Sequence, residues 1–407
     1  MRAALYVHVP FCGKKCGYCD FYSVPVDAEA DGALLDRFVE CLCRDVASQL
    51  ETVGVTEVVS VYIGGGTPSL LGARRMKDVL DFLASRIACG GVGGQVPPEF
   101  TVEVNPESLD EDFLSVCKLG GVTRISCGVQ TFNAASRLAV GRQGEISRLH
   151  NALALLNEAY GGSFSADIIS GLPCQDEAAL LRDIETLVSY GPTHLSLYDL
   201  TLEKNTPLYR DVMSQTVTLP PPETAECLWI AGRDFLEAAG YPQYEVSNFA
   251  PVGNRSAHNI VYWRMGSWLG AGPSASGTVI MEGVQGDAGK NTNAGNCTET
   301  SGLRRTVKPC VKSYVSGATD GILVETLDRA ALIKETFLMG FRYIEGPDAE
   351  LFKNRFGSPI ESLVPETLDR WRSDGKMGGA GLALNRDGLL MLNRFLTDCF
   401  IELDGTI

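Results

Sequence analysis

A chain of 407 residues, 45% hydrophobic and 21% charged, has the balance of a folded protein of about two or three domains. Its 35 Lys and Arg against 50 Asp and Glu leave a net charge of −15, which argues against a broad nucleic-acid surface, because such a surface needs a basic patch to replace counterions. No apolar run near Arg2 suits a signal peptide, no stretch of about 18 apolar residues could span a bilayer, and 13 cysteines form no regular disulfide framework, so a cytoplasmic protein without a transmembrane segment is expected.

In chain order, residues 5–9 read as a short buried strand that runs straight into PFCGKKCGYCDFYS. Cys12, Cys16 and Cys19 stand there at C-x3-C-x2-C spacing. Closely spaced thiolates hold iron–sulfur clusters, and three of them on a four-iron cluster leave one iron open. The spacing resembles the signature of the radical S-adenosylmethionine (SAM) enzymes. In that family the methionine amino and carboxylate groups chelate the open iron, and an electron from the cluster cleaves the sulfonium. His8 offers an alternative, a tetrahedral zinc site of the Cys3His kind with the same cysteines, although zinc knuckles usually use C-x2-C pairs.

Residues 31–51 carry Leu34, Leu35, Phe38, Val39, Leu42, Val46 and Leu50 at helical spacing. A Val-rich strand over 56–63 ends in GGGTPS, a helix follows over 73–87, and a strand over 100–104. Further strands are expected at 122–127, 164–169 and 194–197, with helices between them. Alternating strands and helices imply parallel pairing with right-handed crossovers, and six such units fit a doubly wound sheet or a partial barrel. The polar residues favour an α/β partial barrel, (β/α)6. Each strand's carboxyl end carries chemistry: the cysteines, Gly64 to Thr67, Glu103 with Asn105, Gln130, Asp167 and Tyr198, and a barrel gathers all such ends around one mouth.

The barrel is expected over residues 1–219. An extension over 220–282 contains a helix at 223–238 and the motif SAHNIVYW. Residues 283–312, rich in Gly, Asn and Thr, read as a variable surface segment or linker. A small α-rich C-terminal domain is expected over 313–407, with a helix at 327–341 and a short β-wing at 381–392.

Taken singly, these motifs admit two readings. Gly64, Gly65 and Gly66 let backbone approach a ligand without a Cβ in the way, or simply make a tight loop. Glu103 could pair with an ammonium group or cap the next helix. Gln130, Arg142 and Asp167 are single polar residues, and Asp167 is costly in its apolar strand unless paired. His258 and Asn259, followed by Tyr262 and Trp263, could place an imidazole on haem iron with rings flanking the porphyrin; otherwise His258 is hydrogen-bonded in a loop over the barrel mouth.

Together YVHVPFCGKKCGYCDF, YIGGGTPS, VEVNPE, ISCGVQTF, DIISGLP, HLSLYDLTLEKNTP, YPQYEVSNFA and HNIVYW resemble the oxygen-independent coproporphyrinogen oxidases and their haem-chaperone branch, over most of residues 5–276. The resemblance implies a 4Fe-4S cluster on Cys12, Cys16 and Cys19, and a SAM held by Tyr6, Gly65 and Glu103. It implies that Tyr18, Gly66, Thr67, Gln130, Arg142 and Asp167 match the oxidase branch's second SAM site. It also implies haem near His258, a haem-acceptor protein, and an electron donor such as flavodoxin or ferredoxin. Several departures separate the branches. Phe21 stands where oxidases have a fourth cysteine, the chain begins a few residues before its first strand, and the HNxxYW motif ends in Trp263. These point to the chaperone branch rather than to an enzyme that converts coproporphyrinogen III to protoporphyrinogen IX. The relatives' GRxH reads here as Gly141-Arg142-Gln143-Gly144, and Ala257 precedes His258 where many relatives have Arg.

Overall fold

The computed structural model describes residues 1–90, 99–142, 144–160, 163–281, 300–318, 321–378 and 381–405, without the side chains of 88–90. Most of the segment expected as a linker, and Gln143, lie outside these residues.

Six strands follow one another across the sheet in sequence order: β1 (Arg2–Val9), β2 (Glu57–Gly65), β3 (Glu99–Val104), β4 (Arg124–Gln130), β5 (Phe164–Ser170) and β6 (His194–Asp199). All five neighbouring pairs are parallel. A doubly wound sheet would reverse its order at a switch point. This order never reverses, so the six carboxyl ends form one row, as the expected partial barrel requires.

The strands alternate with period two. Val61, Ile63, Val102, Ile125, Cys127, Ala166, Ile168, Leu195 and Leu197 are buried in the main core with the helices. Leu35, Phe38, Leu42 and Val46 of α1 (Gly32–Val53) join them, as the helical stripe predicts. The opposite parity, Ser60, Tyr62, Thr101, Glu103, Ser126, Asp167, Ser196 and Tyr198, faces inward and is polar. That polarity explains why these strands alternate so weakly in sequence.

Both flanks extend the sheet to 11 strands. On one side β7 (Asn248–Phe249) pairs antiparallel with β6. On the other, β8 (Trp268–Ala271) is parallel to β1, and β9 (Ser276–Met281), β10 (Ser301–Val307) and β11 (Ile322–Leu327) continue as an antiparallel meander. Strand pairing thus runs to Leu327, beyond the boundary expected at 312. β10 did not read as a strand because Arg304 and Arg305 interrupt it. Arg304 reaches Glu335 at 2.6 Å, and Arg305 reaches Asp45 of α1 at 2.7 Å.

The C-terminal region is helical, around a core of Phe337, Phe341, Phe352, Trp371 and Phe395 that also takes in Trp268 and Ile280 of the sheet. Its first helix, Arg329–Gly340, starts where Asp328 accepts from Ala331 N–H at 2.8 Å. The wing expected at 381–392 is replaced by a short helix, Arg386–Leu390, capped by Asn385, which accepts from Gly388 N–H at 2.9 Å. Among the described residues the only β pairing there is one bridge between Met377 and Leu384. Arg386-Asp387-Gly388 suggests a hairpin turn, but the side chain of Asn385 before it caps a helix instead.

Candidate functional site

At the carboxyl ends of the six strands lies a cavity of about 550 Å³. Its wall contains most residues expected at a site: Cys12, Cys16, Tyr18, Cys19, Gly65, Gly66, Thr67, Glu103, Gln130, Arg142 and Asp167. Lys14, Lys15, Ser126, Asp199 and Leu200 also line it and were not foreseen. Ser126 was legible in principle, since it shares the strand parity of Gln130. Tyr6 and His258 do not line it.

The cysteine loop is pinned by its backbone. Gly17 N–H donates to Val140 O and Leu208 N–H to Gly17 O, each at 2.8 Å, and Val26 N–H donates to Cys12 O at 2.9 Å. Lys15 Nζ donates to Phe21 O at 2.9 Å. All three sulfurs meet donors: Thr67 Oγ1 lies 3.6 Å from Cys12 Sγ, Arg142 Nη1 lies 3.4 Å from Cys16 Sγ, and the Phe21 backbone N–H bonds Cys19. Burial pushes the Cys19 thiol up, a cost that a bound metal would reverse by replacing the proton. The Arg142 guanidinium also donates to Asn105 Oδ1 at 2.8 Å and to Gly128 O, which ties β3 and β4 to the loop.

These groups fit a thiolate-held cluster with a polar ligand beside it. Three half-buried sulfurs share one wall, and the buried Gln130 Oε1 faces the same cavity without a partner. Gln130 also has φ +72°, a left-handed backbone that a glutamine adopts only under constraint. The zinc alternative loses its fourth ligand. His8 is 4% exposed; its Nε2–H donates to Tyr22 O at 3.0 Å, which leaves Nδ1 to accept from Tyr6 OH at 2.9 Å.

Glu103 accepts from Tyr62 OH at 2.7 Å and from Gly65 N–H at 2.9 Å, so it caps no helix. Each oxygen keeps a further lone pair for a cation in the cavity. Burial raises its carboxyl, and the bonds from Tyr62 and Gly65 oppose that rise. The glycines before it are required by the protein itself. A Cβ on Gly65, at φ +113°, would lie 2.5 Å from the His8 ring, and one on Gly66 would lie 2.5 Å from Phe11 O.

His258 is not where a haem ligand over the mouth would be. It belongs to α2 (Ala257–Trp263) beneath the amino end of the barrel and is 1% exposed. Its Nδ1 is hydrogen-bonded with Ser60 Oγ at 2.9 Å and its Nε2 with Tyr262 OH at 2.8 Å. Burial pushes its imidazole down to about 3, so it is neutral at physiological pH. Two hydrogen-bonded nitrogens in a closed floor leave no face for iron. The Tyr262 ring does not flank a porphyrin here, because its hydroxyl is the histidine's internal partner.

Asp167 shows how pH enters this cavity. Burial pushes its carboxyl up to about 7, against a hydrogen bond from Ser196. The folded chain therefore keeps this proton after the unfolded chain, with a value of about 3.9, has lost it, so the group's contribution to stability is full below about pH 4 and is lost as pH rises towards 7. Asp167→Asn is expected to remove that fall. The difference in unfolding midpoint between variant and wild type should grow from pH 4 to pH 7 in the variant's favour, and parallel profiles would contradict it.

Residues 6–197 match the radical SAM superfamily. The chain is 37% identical over 285 residues to mouse "Radical S-adenosyl methionine domain-containing protein 1, mitochondrial", a match that spans 70% of this chain but only 62% of that protein. It is 35% identical over 278 residues to the Escherichia coli protein named "Heme chaperone HemW", covering 68% of this chain and 70% of that one. Among solved structures, the Escherichia coli coproporphyrinogen III oxidase (HemN), titled a radical SAM enzyme, superposes with a TM-score of 0.76 at 19% identity. That superposition covers 98% of this chain and 89% of the other, a likeness of fold.

Proposed function

The chain belongs to the radical SAM superfamily, in its HemW- and HemN-like group, and from that membership we propose that it binds haem and passes it to an acceptor protein, with a 4Fe-4S cluster and SAM in its barrel. Cys12, Cys16 and Cys19 hold the cluster, and the Glu103 carboxylate takes the SAM ammonium group. When bound, the pair supplies one-electron cleavage of the sulfonium carbon–sulfur bond. The protein's own groups do the rest: Thr67 and Arg142 donate to two of the sulfurs, and the barrel interior shields the cavity from below. An electron donor such as a flavodoxin or ferredoxin completes the proposal. A reducing, cytoplasmic setting suits the described cysteines, all of which are free. Among the described residues no helix is long and apolar enough to cross a membrane.

One observation carries the chaperone reading over the oxidase reading. The rim of the cavity presents Phe21, 69% exposed, where a fourth thiol would mark the oxidase branch. An exposed aromatic beside a half-open cavity offers a flat apolar face to a macrocycle. Titrating haem into the reconstituted protein under anaerobic conditions is expected to give saturable binding in the visible spectrum, weakened several-fold by Phe21→Ala through the lost ring contact, an effect of about 1 kcal/mol. Absence of saturable binding would overturn the proposal.

A further inference from the structure

Glu103 is held by a support that reaches through the whole barrel. Its Oε1 accepts from Tyr62 OH, and the Tyr62 ring has Tyr6 at 6.2 Å and His258 at 5.2 Å, tilted by only 31° and 32°. His258 is itself fixed by Ser60 and Tyr262. The Tyr262 ring meets Trp268 edge-on at 5.0 Å.

The same helix is tied to the strand that carries Glu103. Ser256 Oγ, Ala257 N–H and His258 N–H all donate to the carboxylate of Glu99 at 2.9 Å, and Glu99 is the first residue of β3. Arg124 of the neighbouring strand adds an ion pair to Glu99 at 3.4 Å. One short helix therefore locks the start of β3 and, through His258, the tyrosine that sets the angle of the carboxylate near its end. No ligand-facing role is left for the imidazole, yet its neutral ring packs where any vacancy would let Tyr62 sink.

We infer that His258 is a positioning residue for SAM: acting through Tyr62, it holds Glu103 in the orientation that meets the α-ammonium group. This rests on the reading of Glu103 as the ammonium ligand. It assigns the HNxxYW motif of this chain to the floor of the SAM site.

The test is calorimetric binding to the reconstituted protein of SAM and of 5′-methylthioadenosine, which keeps the adenosine and lacks the ammonium group. Glu103→Gln, Tyr62→Phe and His258→Ala are each expected to weaken SAM by about tenfold or more, the size of a lost hydrogen bond to a charged group. All three should leave 5′-methylthioadenosine unchanged. His258→Gln, whose amide can still bond Tyr262, should recover most of the affinity. Tyr62→Phe with His258→Ala should cost no more than Tyr62→Phe alone, since both act on one carboxylate. SAM affinity unaltered by Glu103→Gln would overturn the Glu103 reading itself. Weakening by Glu103→Gln without weakening by Tyr62→Phe and His258→Ala would overturn the inference and leave that reading standing. Equal loss of both ligands in His258→Ala would mark a loosened barrel and also overturn it. Tyr62→Phe removes a single oxygen and carries the test if His258→Ala fails to fold.

Discussion

Anaerobic reconstitution of the variant with Cys12, Cys16 and Cys19 all replaced by Ala is expected to yield no 4Fe-4S cluster, whereas the wild type takes up iron and sulfide with the matching visible absorbance. The three sulfurs share one cavity wall, and donors from Thr67 and Arg142 stand ready for two of them. Thiolate ligation is obligatory for such clusters. The chain has 13 cysteines, so a single substitution leaves room for stray iron on others. Of the rest, among the described residues, Cys41, Cys117, Cys127 and Cys399 are buried, Cys43 is half-buried and Cys174, Cys227 and Cys310 are exposed, and none of these lines the cavity. Full iron, sulfide and absorbance in the triple variant would show the cluster to be elsewhere. Stoichiometric zinc in the wild type purified without oxygen would revive the zinc reading despite the engaged His8.

Gly65→Val is expected to destabilise the fold by about 3 kcal/mol or more, well above the usual cost of a point substitution. The position has φ +113°, which a β-branched residue avoids, and its Cβ would strike the His8 ring at 2.5 Å. His8 cannot yield cheaply, because both its nitrogens are bonded and it is buried. The same change displaces the N–H that Glu103 accepts, so SAM binding should fall with stability. Gly13 provides the control: a Cβ there has nothing within 4 Å, and Gly13→Ala should shift the urea midpoint little. A Gly65→Val midpoint matching that control would refute the packing argument.

Much of the barrel was legible because parallel strands need crossover helices, and those helices carry clear apolar stripes such as Leu35, Phe38, Leu42 and Val46. Polar residues at strand ends were legible as a mouth, and the structure gathers Glu103, Gln130, Arg142 and Asp167 there with the cysteines. The flanking strands were not. β10 is held by ion pairs from Arg304 and Arg305 to residues distant in sequence, which no local pattern reveals. That Tyr6 and His258 do not line the cavity was not legible for a related reason. Both have polar atoms satisfied internally, Tyr6 by His8 and His258, on the helix beneath the barrel, by Ser60 and Tyr262. A motif shows residue types in proximity; it does not show whether their hydrogen bonds are already spent. For the same reason the glycines of GGGTPS, read as room for a ligand, prove equally to be room for His8 and Phe11.

The central claim is that this radical SAM core serves haem delivery and not porphyrin oxidation. Its most direct test is to supply the reconstituted protein, with SAM and a strong reductant, with coproporphyrinogen III under strict anaerobiosis and to follow the porphyrin products over many equivalents. The account predicts no turnover by a preparation that binds haem. Multiple-turnover formation of protoporphyrinogen IX by a preparation without haem affinity would contradict it.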